Sequence, residues 1–275
     1  MDGALACSLA AKKMGKPFIS RNGYLWSEFV ESNPAKISLL QRAKKTENHI
    51  FNSANHIVVT TPRQADRIMR AYGIHSGKCT VIPNYVLTDV FTPAAAKKTV
   101  NKTLCMVGRL DTEKNPLAVL EACRGLDIEL NLVGSGPLRE QIIRRACEWT
   151  LRVQLLGTVP HEKLPDILQC STMFALVSPL EGHPKSLLEA MSCGLPVIGA
   201  NSPGIREEIQ HGQNGLLCET DSASIRHAVQ ALLHDEELCT RLGVAARNYI
   251  EGHYSLDRVL SLELEVIQKV VGYNT

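Results

Sequence analysis

Two glutamates eight positions apart, Glu181 and Glu189, bracket the run Gly182-His183-Pro184-Lys185-Ser186-Leu187-Leu188. The preceding apolar stretch, Phe174 to Val177, reads as a buried strand, and Pro184 suits the first turn of a helix. Glu181 then stands at the carboxyl end of a parallel strand, where open α/β sheets bind ligands. Glu189 falls about a turn and a half into the helix. Amides from Gly182 to Lys185 would point out of the helix start, a setting suited to an anion. A surface loop running into an ordinary amphipathic helix with a solvated Glu189 would show the same spacing.

A second cluster, Val107-Gly108-Arg109-Leu110 followed by Lys114, puts two cations on a strand-to-helix loop. A planar guanidinium fork beside a point charge matches a diphosphate, although two solvated loop cations would read alike. The third, Gly134-Ser135-Gly136-Pro137, permits close backbone approach. It fails the dinucleotide fingerprint because Arg139 stands where the third glycine belongs. The fourth, Pro203-Gly204-Ile205-Arg206-Glu207 with Gly212 and Gly215, consists mainly of turn residues. No DxD, HExxH, GxSxG or GxxxxGK[ST] pattern occurs, which leaves metal-dependent hydrolases and P-loop NTPases without support.

The elements that must position these residues alternate in type. Strands are predicted at 17–20, 57–60, 79–82, 103–108, 128–133, 153–157, 173–178, 196–199 and 216–218. Helices are predicted at 4–14, 62–72, 116–125, 138–148, 162–170, 184–193, 205–210, 223–233 and 259–271. Such alternation argues for parallel sheets built from βαβ units. Residues 92–102 have linker character, dividing a front lobe, 1–95, from a more complete lobe, 98–255. The chain opens on a helix that leads into an internal strand, so the front lobe is expected to lack its first half. Loss of leading strands would expose a sheet edge and apolar faces. A second copy or a complementing chain is the expected remedy.

With 275 residues, 30 Lys+Arg against 28 Asp+Glu and 44% hydrophobic residues, the chain has the composition of a folded globular protein. A net charge of +2 offers no bulk attraction to nucleic acid. The nine cysteines contain no CxxC pair, and their scatter reads as free thiols in a reducing, cytoplasmic compartment. No run is long enough to span a membrane.

Taken together, these segments resemble the retaining glycosyltransferases of family 4, group 1, which adopt the two-lobed GT-B fold. The resemblance rests on VGRL…K, LVGSGP, Glu-x7-Glu in EGHPKSLLEAMSCGLPVIG, PGIREEI…NGLL and the earlier Ile82-Pro83-Asn84 with Asp89 and Phe91. It implies an α/β fold of two Rossmann-like lobes, the N-terminal one incomplete, with helix 256–275 packing back on it. Arg109, Lys114 and Glu181 would be catalytic. Gly108, Gly134, Gly136, Gly182, His183, Pro184, Lys185, Ser186, Leu187 and Glu189 would bind the donor, a UDP- or GDP-linked sugar. Within that set Arg109 and Lys114 would grip the diphosphate, Glu189 would accept from the ribose hydroxyls, and His183 and Lys185 would border the sugar.

The implied reaction is transfer of a hexosyl-type sugar to a glycan, lipid or cell-envelope polysaccharide, with retention and without metal or cofactor. Retention in this family resembles front-face attack within an ion-pair-like state more than a covalent intermediate on Glu181. The location implied is cytoplasmic, including peripheral attachment to the inner membrane face. The alternative is a non-catalytic nucleotide-sugar-binding subunit, or a truncated relic of such an enzyme.

Overall fold

The computed structural model describes residues 2–95 and 101–272. They form two compact units, Met1–Tyr85 with Leu256–Thr275, and Val86–Ser255.

The first unit runs α1 (Asp2–Met14), β1 (Ile19–Asn22), α2 (Trp26–Glu31), α3 (Leu40–Ser53), β2 (His56–Val59), α4 (Pro62–Tyr72) and β3 (Cys79–Val81). Its three strands pair in parallel in the order β1-β2-β3. Helix α4 carries complete end signals. Thr61 accepts from the Gln64 amide, Pro62 occupies the first turn, and Gly73 closes the helix at φ 66°. Ile50, Phe51, Ile57, Val59 and Ile68 form the core on one face of this sheet. On the other, Val259 and Val266 of the closing helix, Leu256–Val271, pack against Val58 and Ile82. The same helix leaves Leu260, Leu264, Ile267 and Val271 exposed. Among the described residues no helix is long and apolar enough to cross a membrane.

The second unit holds β4 (Thr103–Val107), α5 (Pro116–Ala122), β5 (Glu129–Val133), α6 (Arg139–Glu148), β6 (Arg152–Gly157), α7 (Leu164–Gln169), β7 (Met173–Leu176), α8 (Lys185–Ser192), β8 (Val197–Ala200), β9 (Leu216–Cys218), α9 (Ser222–His234) and α10 (Glu236–Tyr254). All six strands are parallel, in the order β6-β5-β4-β7-β8-β9. The chain therefore winds outward from β4 in one direction and from β7 in the other. Their junction is a topological switch point, where loops diverge and leave a crevice at the carboxyl ends. Strands β7 and β8 are buried at every position, as a sheet covered on both faces requires.

The structure differs from the sequence pattern at three places. The division between units falls at Tyr85/Val86, ahead of the segment 92–102, of which 96–100 lies outside the described residues. The segment before it is bound to the second unit, because Arg247 donates to the carbonyls of Thr88, Phe91 and Ser192 at 3.0, 2.6 and 2.9 Å. The helix expected at 205–210 is a series of turns; ahead of it Gly204 takes φ 85°, where a Cβ would lie 2.3 Å from the Glu181 carbonyl oxygen. Helices α2 and α3, absent from the pattern reading, fill the space between β1 and β2.

All nine cysteines are free. Burial pushes the thiols of Cys105, Cys123, Cys193 and Cys218 up to about 12.

Candidate active site

Two loops flank the switch point of the second unit, one after β4 and one after β7. The first, Gly108 to Asn115, is shaped by an Asp111 side chain accepting from the Lys114 amide at 3.1 Å. Asn115 then turns left-handed at φ 58° and donates to the carbonyls of Thr220 and Val177 at 2.8 and 3.4 Å. The second loop is fixed from β8, where Ser202 Oγ donates to the Ser178 carbonyl at 2.7 Å. The Glu181 amide in turn donates to Pro203 O at 3.0 Å. Across the switch point the Lys114 ammonium and the Glu181 carboxylate form a salt bridge, both side chains largely buried.

The glycines of the β5–α6 turn serve this loop directly. A Cβ on Gly134 would lie 1.9 Å from Gly108 O, and one on Gly136 would lie 2.4 Å from Leu110 O. Leu110 N donates to Ser135 O at 2.9 Å, and Leu138 N donates to Leu110 O at 3.0 Å. The close approach that requires glycine here is therefore backbone against backbone. Arg109 leaves the loop outward, its side chain 65% exposed and paired with Asp111 and Glu113 at 3.1 and 2.6 Å.

Helix α8 begins at Lys185, with Pro184 as its extended cap residue. Glu189 sits one turn in and is only 3% exposed. His161 Nε2 lies 2.7 Å from its Oε1, and Lys185 Nζ lies 3.9 Å from the same atom. Burial pushes the Glu189 carboxyl above the usual carboxylate range, and His161 and Lys185 offset part of that rise. Sequence reasoning did not single out His161. It lies 28 positions from its partner, and only the fold joins a loop after β6 to α8.

Two of the expected donor-site side chains face inward. Leu187 belongs to the hydrophobic core, and its amide donates to Pro184 O at 3.0 Å. The His183 side chain is 1% exposed, with Nε2 3.3 Å from Glu208 Oε1 and its ring edge-on to Tyr254. The Tyr249 hydroxyl reaches Glu208 Oε2 at 3.5 Å and the Tyr254 hydroxyl at 3.2 Å. Burial, then the charge of Glu208, pushes the Tyr254 phenol well above its usual value. This buried group holds the loop 181–184 from inside the unit. Nothing local in the sequence ties Glu208, Tyr249 and Tyr254 to His183.

The site's chemistry is thus a cation–carboxylate pair, a second carboxylate buried on α8, and the start of that helix, which falls between Glu181 and Glu189 in the chain. The family model "Glycosyl transferases group 1" matches residues 90–249. The chain belongs to that family, and its fold is GT-B, an α/β fold with one three-stranded and one six-stranded parallel sheet. The N-acetyl-alpha-D-glucosaminyl L-malate synthase of Bacillus anthracis is 34% identical over 137 residues, half of this chain and 36% of that protein. The Escherichia coli UDP-Gal:alpha-D-GlcNAc-diphosphoundecaprenol alpha-1,3-galactosyltransferase is 30% identical over 215 residues, 69% of this chain and 55% of that protein. The chain thus spans between about a third and just over half of these two relatives' lengths. Among solved structures, sucrose-phosphate synthase of Thermosynechococcus elongatus superposes with TM-score 0.86 at 20% identity, covering 94% of this chain and 69% of that one. The Anabaena protein HepE, solved with UDP, gives TM-score 0.85 at 17% identity over 98% of this chain and 76% of that one.

Proposed function

We propose that the crevice of the second unit binds a nucleotide-diphosphate sugar and that the protein transfers its hexosyl-type sugar with retention and without a metal. The acceptor is a glycan, a lipid or a cell-envelope polysaccharide. Glu189 carries the reading: burial raises its carboxyl above the usual carboxylate range even with His161 Nε2 at 2.7 Å, so further donors to it, such as ligand hydroxyls, would stabilise the charged form. Its position at the switch point suits the paired hydroxyls of a ribose. A relative that uses UDP-galactose and a fold neighbour solved with UDP support a uridine diphosphate donor.

In this reading Lys114 exchanges its bond to Glu181 for the donor's diphosphate, and Arg109 folds in from solvent to join it. Gly108, and the amides from Gly182 to Ser186 at the start of α8, complete the phosphate site. Gly134 and Gly136 set the loop height, and Leu187 and His183 keep the donor loop in place from within. Glu181, released from Lys114, borders the sugar with Lys185. As transfer proceeds, the bond from C1 to the β-phosphate oxygen breaks and the acceptor oxygen bonds to C1 on the same face. The acceptor's proton passes to the departing phosphate oxygen. Cations aimed at that oxygen lower the barrier because charge develops there.

Incubation with UDP-glucose, UDP-N-acetylglucosamine and GDP-mannose in EDTA, with the freed sugar followed by proton NMR, tests the proposal. The expected result is nucleotide release from one donor, with the α-anomer appearing first. A β-anomer appearing first overturns retention, and release that appears only after magnesium or manganese is added overturns the metal-free reading.

A further inference from the structure

The first unit contains a second cluster of charge, remote in kind from the crevice. A cavity of about 440 Å³ is lined by Asn55, His56, His75, Lys78 and Lys269, with Gly77 and Val270 completing it. Among the described residues no carboxylate lines it. Two acceptor atoms of its side chains are already used. Asn55 Oδ1 accepts from the Phe18 amide at 2.9 Å, and His75 Nδ1 accepts from the Gly77 amide at 3.1 Å. A neutral His75 therefore carries its proton on Nε2.

The cavity is left with donors: the Asn55 amino group, His75 Nε2–H and two ammonium groups. Lys78 Nζ donates to Asn52 O at 3.0 Å and Lys269 Nζ to Gly77 O at 3.1 Å, and each has two more protons to give. Beneath them His56 is buried, bonded through Nε2 to Thr80 Oγ1 at 2.8 Å.

We infer that this cavity is a binding site for a small phosphate-type oxyanion, inorganic phosphate or a phosphate monoester, held by Lys78, Lys269, His75 and Asn55. Several donors of one sign with no internal counter-charge are complementary to a dianion, and to little else of that size. Burial lowers the pKa of His56, and the charges of Lys269 and Lys78 lower it further. Burial likewise lowers that of Lys78. An anion between the two lysines would relieve both effects. Because Lys269 lies on the closing helix and Lys78 precedes β3, a bound anion would also join those two elements.

The test is a titration of the full chain with inorganic phosphate and with glycerol phosphate at constant ionic strength, read from the histidine ring signals by NMR. The expected result is saturable movement of the His56 and His75 signals and a higher His56 pKa with either ligand. Lys78→Gln and Lys269→Gln should each weaken binding by about tenfold or more. Both substitutions remove one bond to a main-chain carbonyl, and far-UV circular dichroism checks that each variant is folded. Movement that does not saturate, that chloride reproduces, or that persists in both folded variants overturns the proposal.

Discussion

The two charged clusters of this protein are built on opposite plans. In the crevice of the second unit the cations face acids: Lys114 with Glu181, Arg109 with Asp111 and Glu113, and Lys185 with Glu189, which His161 also contacts. In the cavity of the first unit Lys78, Lys269, His56 and His75 gather with no acid among the described lining residues. A paired cluster is ordered before a ligand arrives, and the ligand must displace internal partners. An unpaired cluster carries standing repulsion that a ligand relieves. The first plan favours discrimination between ligands, and the second favours affinity for any anion that fits.

Backbone spacing separates the two regions most sharply. Gly134→Ala would force a Cβ within 1.9 Å of Gly108 O at φ 134°. It should cost about 2–6 kcal/mol and lower Tm by about 10 °C. Gly77→Ala, whose Cβ would meet His75 Nδ1 at 3.3 Å, should cost under about 1 kcal/mol. Equal Tm values for the two variants would break the contrast.

The next effect belongs to the pair across the switch point. Lys114→Ala leaves the largely buried Glu181 carboxylate without its cation, at about 1–3 kcal/mol in denaturant unfolding. If the proposed role holds, turnover should fall by about 100-fold or more while nucleotide affinity falls less.

Glu189→Gln should move stability and binding in opposite directions. The carboxyl pKa is raised in the folded chain, so the folded state favours the protonated form. The resulting penalty is absent below the unfolded carboxylate range near about pH 4, grows as pH rises through it, and is complete above the folded value. The variant should therefore melt higher than the parent at pH 7, an advantage that vanishes below about pH 4. Its nucleotide affinity should fall about tenfold. The smallest effect is expected for Lys269→Gln, whose Tm without phosphate should stay within about 1 °C of the parent's.

Much of this was legible before the fold was known. Leu216–Cys218 and Pro62–Tyr72 were bounded correctly because their flanking residues carry clear strand and helix signals. The spacing of Glu181 and Glu189 predicted Glu189 inside a helix, as observed, whereas Glu181 stands on the loop five residues past the end of β7. Helix α3 escaped because its buried face, Ala43, Glu47, Ile50 and Phe51, includes a charge. Glu47 is buried to accept from the Ser27 amide at 3.0 Å, and a sequence reading assigns such a residue to solvent. His161, Glu208 and the tyrosines were invisible for another reason: they meet His183 and Glu189 only when the unit folds. The site's local geometry is written in short motifs, and its electrostatics are written in long-range contacts.

The most direct test of the crevice as a nucleotide site is thermal unfolding with UDP, GDP and ADP in EDTA, run on the parent chain and on Glu189→Gln. A nucleotide at ~100 times its Kd adds about 2.7 kcal/mol to stability, a readily measured rise in Tm. The expected result is a rise for the parent with one nucleotide diphosphate, and a clearly smaller one for the variant at the same concentration. An equal rise in both chains, or none in a parent that still melts cooperatively, would contradict it.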